Sequence, residues 1–528
     1  MISRVLNTSS SGIQGGRLTL IFVAIGVLAA YGISDYILQE DINTLVLIAL
    51  AFVASAVIVV ILNNWRNGLL LLLSWMLFED FARKYLGNNM VIYFGKDILA
   101  LIVYLSFFIA IRKEKLPIFR PPFRMPLLIM MWVGFMQIFN PASPSIFFGL
   151  MGFKLFFYYV PLMIIGYAYL SSEKHMRRFF FLNLILLLVI GSLGGAQAIL
   201  GHTFLNPQNL QEDIRDLATN YRTSPISGLS SYRPTSVFVS AGRYADFLGV
   251  AWIIALGFTG YLLFRQRQGR LLAFISVTVA AGALVLTASR GAFSWGVINA
   301  IVFSIAFLWG APWHNGEVIR VLRTIQRTTV GIVSALFFLT LLFPDALQSR
   351  LSLYFETLSP NSSHSEVAFR TWAYPLENFL GAFSFDRWPY GYGIGTCGLG
   401  VQYVSRFFHV RPPNDGVESG FGAIVLQVGI VGLILWILLS AAVLLSAWRI
   451  VIQLRGTMWF PLGFSIFWFA FLVFVPYMWG GVVAYEDFVI NAYLWVLLGM
   501  LFRLPDFVRS EKLALAAAPD GPFAQQNV

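Results

Sequence analysis

Apolar residues fall along the chain in long blocks separated by shorter polar segments. A helix needs about 20 predominantly apolar residues to cross the hydrocarbon core of a bilayer. Fourteen stretches approach that length: 18–36, 42–62, 68–79, 91–111, 126–139, 146–170, 179–201, 244–264, 271–288, 292–310, 329–344, 422–446, 460–479 and 487–502. Several are short, so their neighbours are expected to extend them. The pattern predicts an all-α, polytopic membrane helix bundle of about 14 transmembrane helices. The first span follows Arg4 and Arg17 as a signal peptide would, but its length and the spans behind it argue for an uncleaved helix.

Two polar segments are much longer than the rest, and no linker or shift in composition marks a domain boundary. The chain therefore divides by span and loop. Residues 1–201 hold N-terminal helices, 202–243 the first long loop, 244–344 central helices, 345–421 the larger loop, 422–503 C-terminal helices and 504–528 a tail. Residues 511–528 are rich in Ala, Pro and Gln and read as a frayed end. Residues 364–377 are expected to form a short helix over the mouth of a site in the larger loop.

Composition agrees with a membrane chain. Of 528 residues, 58% are hydrophobic and 12% charged, with mean hydropathy +0.74, against about 45–50% and about 25% in soluble domains. This excludes an ordinary soluble enzyme, a disordered chain and a DNA-binding domain. The net charge of +11 then points to cytoplasmic loops, where Lys and Arg accumulate, and not to nucleic acid. With the N-terminus inside and the spans alternating, one side collects Arg4, Arg17, Arg66, Arg112, Lys113, Lys115, Arg120, Arg124, Lys174, Arg177 and Arg178. The same side collects Arg265, Arg267, Arg270, Arg320, Arg323, Arg327, Arg449, Arg455, Arg503, Arg509 and Lys512. The short loops on the other side, such as 35–41, 140–145 and 486–487, are acidic or neutral. Both termini are therefore expected in the cytoplasm.

That orientation puts both long loops outside, yet they carry nine arginines: Arg215, Arg222, Arg233 and Arg243, then Arg350, Arg370, Arg387, Arg406 and Arg411. Topology gives no reason to export these charges, so an anionic ligand is expected. Arg233-Pro234-Thr235-Ser236-Val237-Phe238 lies just before the eighth span, at the outer membrane–water boundary. The guanidinium fork suits the oxygens of a lipid-linked diphosphate, although a snorkelling Arg can also simply anchor a helix end. Thr287-Ala288-Ser289-Arg290-Gly291 joins two apolar stretches with no spacer and must be a tight hairpin. It holds Arg290 at membrane depth, where a charge needs a partner.

Lys154 lies about eight residues inside the sixth span, roughly 12 Å deep at 1.5 Å per residue. It reads either as a substrate-binding group or as the partner of a buried carboxylate. Lys96-Asp97 reads as an internal pair. Arg243 and Arg406 join Arg233, Arg290 and Lys154 as candidates for binding the diphosphate or the rest of the substrate. Glu418 stands where a helix begins and His409 in the loop before it, so each is a candidate proton acceptor. Trp372, Tyr374, Phe379, Phe383, Phe385, Trp388, Tyr390 and Tyr392 offer aromatic faces to sugar C–H groups or form an interfacial belt. Gly391-Tyr392-Gly393-Ile394-Gly395 lacks the strand–helix setting of a dinucleotide loop. A single cysteine, Cys397, excludes an intrachain disulfide framework, and five scattered His carry no zinc spacing. No cofactor or metal is expected.

These segments together resemble the O-antigen polymerase and O-antigen ligase superfamily of bacterial envelope proteins. Three pieces carry the resemblance. They are Arg233 to Phe238 followed by Ala245 and Leu248, the Thr287-Ala288-Ser289-Arg290-Gly291 hairpin, and Glu418-Ser419-Gly420-Phe421 ahead of Gly429 and Gly432. The match covers residues 220–440 specifically and the remainder by hydropathy. The ligases commonly carry His-Asn where this chain has Glu418-Ser419, a departure that favours the polymerases.

The resemblance implies a periplasm-facing glycosyl transfer at a bacterial inner membrane. The donor would be an undecaprenyl-diphosphate-linked oligosaccharide. The acceptor would be a second lipid-linked repeat unit, or a lipid A core in the ligase alternative. Arg233 and Arg290, with Lys154, would stabilise the leaving diphosphate, and Glu418 or His409 would take the acceptor proton. Membrane lipid is an expected partner and nucleic acid is not, and the resemblance leaves room for a chain-length regulator. A lipid-linked oligosaccharide flippase or other transporter is the alternative of another class, but no inverted repeat supports it.

Overall fold

The computed structural model describes residues 55–516, apart from 88–89, 209, 211, 266–267, 314–322, several positions between 324 and 339, 415 and 482–483. The expected span 18–36, most of 42–62 and part of 329–344 lie outside the described residues. Eight described helices are long and apolar enough to cross a membrane: Val91–Glu114, Ile146–Tyr169, Glu173–Leu200, Ala241–Arg265, Arg290–Gly310, Gly420–Leu454, Phe460–Gly480 and Phe488–Leu513. Each overlaps an apolar block of the sequence. The chain is thus a mostly helical, multi-pass membrane protein.

In chain order the helices are α1 (Trp65–Leu86), α2 (Met90–Glu114), α3 (Arg124–Gln137), α4 (Ile146–Phe157), α5 (Leu162–Tyr169) and α6 (Glu173–Leu200). A short α7 (Glu212–Ala218) and a two-stranded antiparallel hairpin, β1 (Tyr221–Thr223) and β2 (Ser230–Tyr232), follow. Next come α8 (Ala241–Arg265), α9 (Arg270–Leu286), α10 (Arg290–Gly310) and α11 (Pro344–Leu358). A π-helical turn at Phe369–Ala373 leads into α12 (Tyr374–Gly381). The chain ends with α13 (Leu399–Phe408), α14 (Gly420–Leu454), α15 (Phe460–Phe474), α16 (Pro476–Gly480) and α17 (Phe488–Ala516). The stretch 126–139 is the 14-residue α3, and 271–288 is the 17-residue α9, both shorter than the eight spans. Serines start several helices, because a side-chain oxygen satisfies a backbone N–H that has no helical partner. Ser145 caps α4, Ser172 caps α6, Ser289 caps α10 and Ser419 caps α14.

α8 packs against α6, α9, α10 and α15, and α17 lies along α5. Trp436, Trp459 and Trp495 are fully buried between these helices. α14 is broken at Gly429, whose φ of 78° interrupts the helical ladder. Backbone groups freed inside a membrane protein must find other partners, and the Pro389–Gly395 loop supplies them. Tyr392 N donates to Leu426 O at 2.7 Å, Gly393 N to Gln427 O at 3.0 Å, and Ile430 N to Pro389 O at 3.3 Å. The glycine-rich segment is therefore a structural plug beside the kink.

Gly395 has φ +82°, and a Cβ there would sit 2.0 Å from the Phe148 carbonyl oxygen. The left-handed conformation alone costs a non-glycine residue about 1–2 kcal/mol, and the backbone overlap adds to it. Gly395→Ala is expected to lower the melting temperature in detergent by many degrees. Gly282→Ala, whose added Cβ meets nothing within 4 Å, should leave it nearly unchanged. Equal melting temperatures for the two variants would contradict the plug.

Candidate functional site

The C-termini of α6 and α9 and the N-termini of α8 and α10 lie at one end of the bundle. α9 stops at Leu286, and the next three residues reverse the chain. Thr287 Oγ1 donates to Leu284 O at 2.8 Å and accepts from Ser289 N at 3.2 Å. Ala288 takes the left-handed φ of 50°. Ser289 caps α10, so Arg290 is its first residue. The turn thus fixes the Arg290 backbone at the first position of α10, four residues after the end of α9.

The segment from Gly201 to Ser240 folds over the same end. Tyr221 pairs with Tyr232 across the hairpin, and Arg222 stands on β1. Arg233 N donates to Asn220 O at 3.0 Å, which brings Arg233 next to Arg222. The loop behind Arg233 is held from below. Gln197 Oε1 accepts from Thr235 N at 2.8 Å and Ser236 N at 2.7 Å. The buried Lys84 donates to Thr235 Oγ1 at 2.9 Å and Ser236 O at 2.8 Å. Ser236 itself has φ +50° and bonds Ile190 O through its hydroxyl. So many partners over-determine one conformation, the condition under which an unusual φ persists.

These elements enclose a cleft of about 400 Å³ lined by Arg222, Arg233, Arg290, Glu366, Thr357, Asn220 and neighbouring residues of β1 and α11. Three guanidinium groups face one carboxylate. Arg290 donates to Glu366 Oε1, and Arg370 approaches Glu366 Oε2 at 3.3 Å from one helical turn further on. Among the described residues, Arg222 and Arg233 have no carboxylate at ion-pair distance, and Arg233 Nε is buried with no hydrogen-bond partner. Burial, with Arg222 and Arg290 alongside, pushes the Arg233 pKa down. Burial and the charge of Arg290 also lower that of Arg222. Burial would raise the Glu366 pKa, but the hydrogen bond and charge of Arg290 bring it below the usual carboxylate range. A buried donor without a protein acceptor and crowded like charges are the features that suit an anionic ligand.

Arg350 is part of this end of the fold but not of the cleft lining. It is 2% exposed. Its guanidinium donates to Leu286 O at 2.8 Å, Ala346 O at 2.6 Å, Tyr232 O at 2.9 Å and Ala198 O at 3.1 Å. Leu286 precedes the Arg290 turn and Tyr232 precedes Arg233, so one side chain ties together both segments that carry the cleft arginines.

The other sequence candidates are placed elsewhere. Arg243 bonds Asp80 with two contacts of 2.8 Å and the Tyr403 hydroxyl at 2.7 Å. Lys154 pairs with Asp97, and Lys96 with Glu79 at 3.0 Å. Arg83 also reaches Asp80, at 2.9 Å. These groups form a buried ion network joining α1, α2, α4 and α8. Neither Lys154 nor Arg243 lines the cleft, because each buried cation already has its carboxylate. Arg406 stands on α13 near Arg83, and His409 ends that helix with φ 53°. α13 packs on α4, where Phe408 stacks on Phe147 with ring centres 4.0 Å apart.

Glu418 is exposed; it accepts from the Tyr374 hydroxyl, and the cap of α14 is the next residue, Ser419. It connects to the cleft through a chain of contacts, since the Arg370 guanidinium lies 4.9 Å from the centre of the Tyr374 ring. The aromatic residues of the larger loop partly face outward: Trp372 is 65% and Tyr390 77% exposed. Trp372 and Phe379 adjoin Trp479 of α16, which ends an apolar block and has no local feature to single it out. The expected helix at 364–377 is helical from residue 367 and runs on to Gly381.

Compared with known proteins, the chain matches no family model and no curated protein sequence.

Proposed function

We propose that the chain is a membrane glycosyltransferase that joins lipid-linked oligosaccharide repeat units into a surface polysaccharide. The observation that carries this reading is the cleft in which Arg222, Arg233 and Arg290 converge with one carboxylate to balance them. Two uncompensated positive charges, fork-shaped donors and an unused buried Nε suit the oxygens of a diphosphate. The cleft opens at one end of a bundle of apolar helices, which suits a diphosphate carried on a polyprenyl chain. The exposed rings of Trp372 and Tyr390 suit the sugars attached to it. This agrees with the resemblance carried by residues 233–238, 287–291 and 418–421.

On this reading the protein sits in the bacterial inner membrane, with the cleft facing the periplasm and both termini in the cytoplasm. The donor is an undecaprenyl-diphosphate-linked oligosaccharide. The bond from the donor sugar's anomeric carbon to the diphosphate oxygen breaks, and the electron pair leaves with the diphosphate. Guanidinium groups aimed at that oxygen lower the barrier because charge grows there in the transition state. The acceptor hydroxyl attacks the same carbon.

The test is deletion of the gene, with wild-type complementation, followed by electrophoresis of the surface polysaccharide. Loss of long chains with a core capped by one repeat is the expected result. Loss of every capped form, with lipid-linked polymer accumulating, would instead mean a ligase. Repeat units trapped on the cytoplasmic side would mean a flippase, and an unchanged pattern would remove all three.

A further inference from the structure

Glu366 is the one carboxylate among the described residues lining the cleft. Its backbone N–H donates to Thr357 O at 2.9 Å, which closes the turn after α11 and sets the side chain into the cleft wall. Its two oxygens are divided. Oε1 takes the bond from Arg290, and Oε2 faces Arg370, four residues on in the helical segment that begins at Val367. The side chain keeps 36% of its surface exposed. Glu366 therefore occupies on Arg290 the position an anionic ligand would need.

We propose, resting on the glycosyl-transfer reading, that Glu366 is the catalytic base, released by the diphosphate that displaces it from Arg290. A diphosphate carries more charge than a carboxylate and can be gripped by Arg222 and Arg233 at the same time, so it outcompetes Glu366 for the Arg290 fork. Oε1 is then free at the edge of the site that holds the leaving group. Oε2 stays beside Arg370, whose i,i+4 spacing preserves the orientation of the carboxylate. The acceptor hydroxyl oxygen bonds to the anomeric carbon, its proton passes to Glu366 Oε1, and the diphosphate departs with the electron pair. Glu366 then gives the proton to water and returns to Arg290. The exchange keeps the base silent until a donor is bound, which guards against activating water in an empty cleft. Glu418 is bonded to Tyr374 and lies off the cleft, and His409 ends a helix packed on α4. Neither meets a bound diphosphate as directly.

The experiment uses the purified full chain in lipid vesicles with a lipid-linked oligosaccharide as donor and acceptor, and inorganic pyrophosphate as a separate binding probe. Glu366→Gln is expected to bind pyrophosphate as tightly as wild type or several-fold more tightly, because it removes the competing charge. Its transfer rate should fall on the order of a hundredfold, the range for losing a general base. Glu366→Asp should recover part of the rate and show the same acid limb in its pH profile, which Glu366→Gln should lack. Near-normal transfer by Glu366→Gln would overturn the proposal and leave Glu366 a counter-ion. Loss of pyrophosphate binding together with transfer in Glu366→Gln would also overturn it, making the residue a wall of the site. Wild-type protein that binds pyrophosphate but transfers no sugar would instead sink the glycosyl-transfer reading, and the assignment of a base with it.

Discussion

Arg350→Met is expected to yield little or no folded protein in detergent. The guanidinium is buried and donates four hydrogen bonds, three of them to carbonyls from other segments of the chain. Ala198 and Leu286 lie in the last turns of α6 and α9, where carbonyls have no helical donor and carry partial negative charge. A hydrogen bond to a charged group contributes about 1.5–3 kcal/mol. Losing three of them from a buried site removes on the order of 5 kcal/mol, a large fraction of the roughly 5–15 kcal/mol that holds a domain folded. Methionine fills much of the space, so the loss isolates the hydrogen bonds from the packing.

Arg350→Lys should fold, since the ammonium can reach one or two of the same oxygens. On the proposed function it should nevertheless transfer sugar slowly, because Tyr232 and Leu286 would no longer be tied together and Arg233 and Arg290 would drift apart. Melting temperature and transfer rate separate these outcomes. An Arg350→Met protein that melts within about a degree of wild type would show that the carbonyls have other partners.

Nothing in the sequence distinguishes Arg350 from Arg222, yet one binds backbone and the other lines the cleft. Both lie in polar loops between spans, and the difference is made by which distant segments close over them. Arg350 meets Ala198 and Tyr232, and Arg290 meets Glu366, across stretches of chain that hydropathy cannot bring together. The same holds for Lys154, whose partner Asp97 lies on another helix. A cation in an apolar block signals that a carboxylate or a ligand is near, but only packing tells which.

Apolar blocks of about 20 residues announce helices because the bilayer demands them. Arg233 and Arg290 stand out because proline, glycine and capping serine next to them fix their backbones. The hairpin at Tyr221–Tyr232 had a usable signal in Ser224-Pro225-Ile226-Ser227-Gly228, a turn flanked by strand-forming residues. Each strand is only three residues long, too short for alternation to show. The break in α14 was hidden for a similar reason. Gly429 lies in an uninterrupted apolar run, and its conformation is set by the Pro389–Gly395 loop that packs against it.

If the chain is the glycosyltransferase proposed, Arg233→Ala is expected to lower kcat/KM for sugar transfer by about 10²–10³, the loss seen when one donor to a developing charge is removed. Arg233→Lys should recover only part, because an ammonium cannot offer the parallel pair of donors that a diphosphate accepts. The pH dependence gives an independent check. Burial and the neighbouring Arg222 and Arg290 press the Arg233 pKa down, yet a guanidinium starts so high that it stays protonated over the pH range of an assay. The protonated form is the one that binds an anion, so wild type keeps it throughout that range. The alkaline side of kcat/KM, which reports the free enzyme, should therefore show no fall that belongs to Arg233.

In Arg233→Lys the same burial and the same two neighbouring cations act on an ammonium, which is intrinsically easier to neutralise. The ammonium is present at low pH and is lost as pH rises through its depressed pKa, so this variant should gain an alkaline limb in kcat/KM that wild type lacks. The folded ammonium releases its proton before the unfolded one does, so stability gains from this group as pH rises, and the lost activity would mark deprotonation in the site rather than unfolding. The same alkaline limb in wild type, Arg233→Lys and Arg233→Ala would show that another group controls it, and Arg233 would lose its proposed place beside the leaving diphosphate.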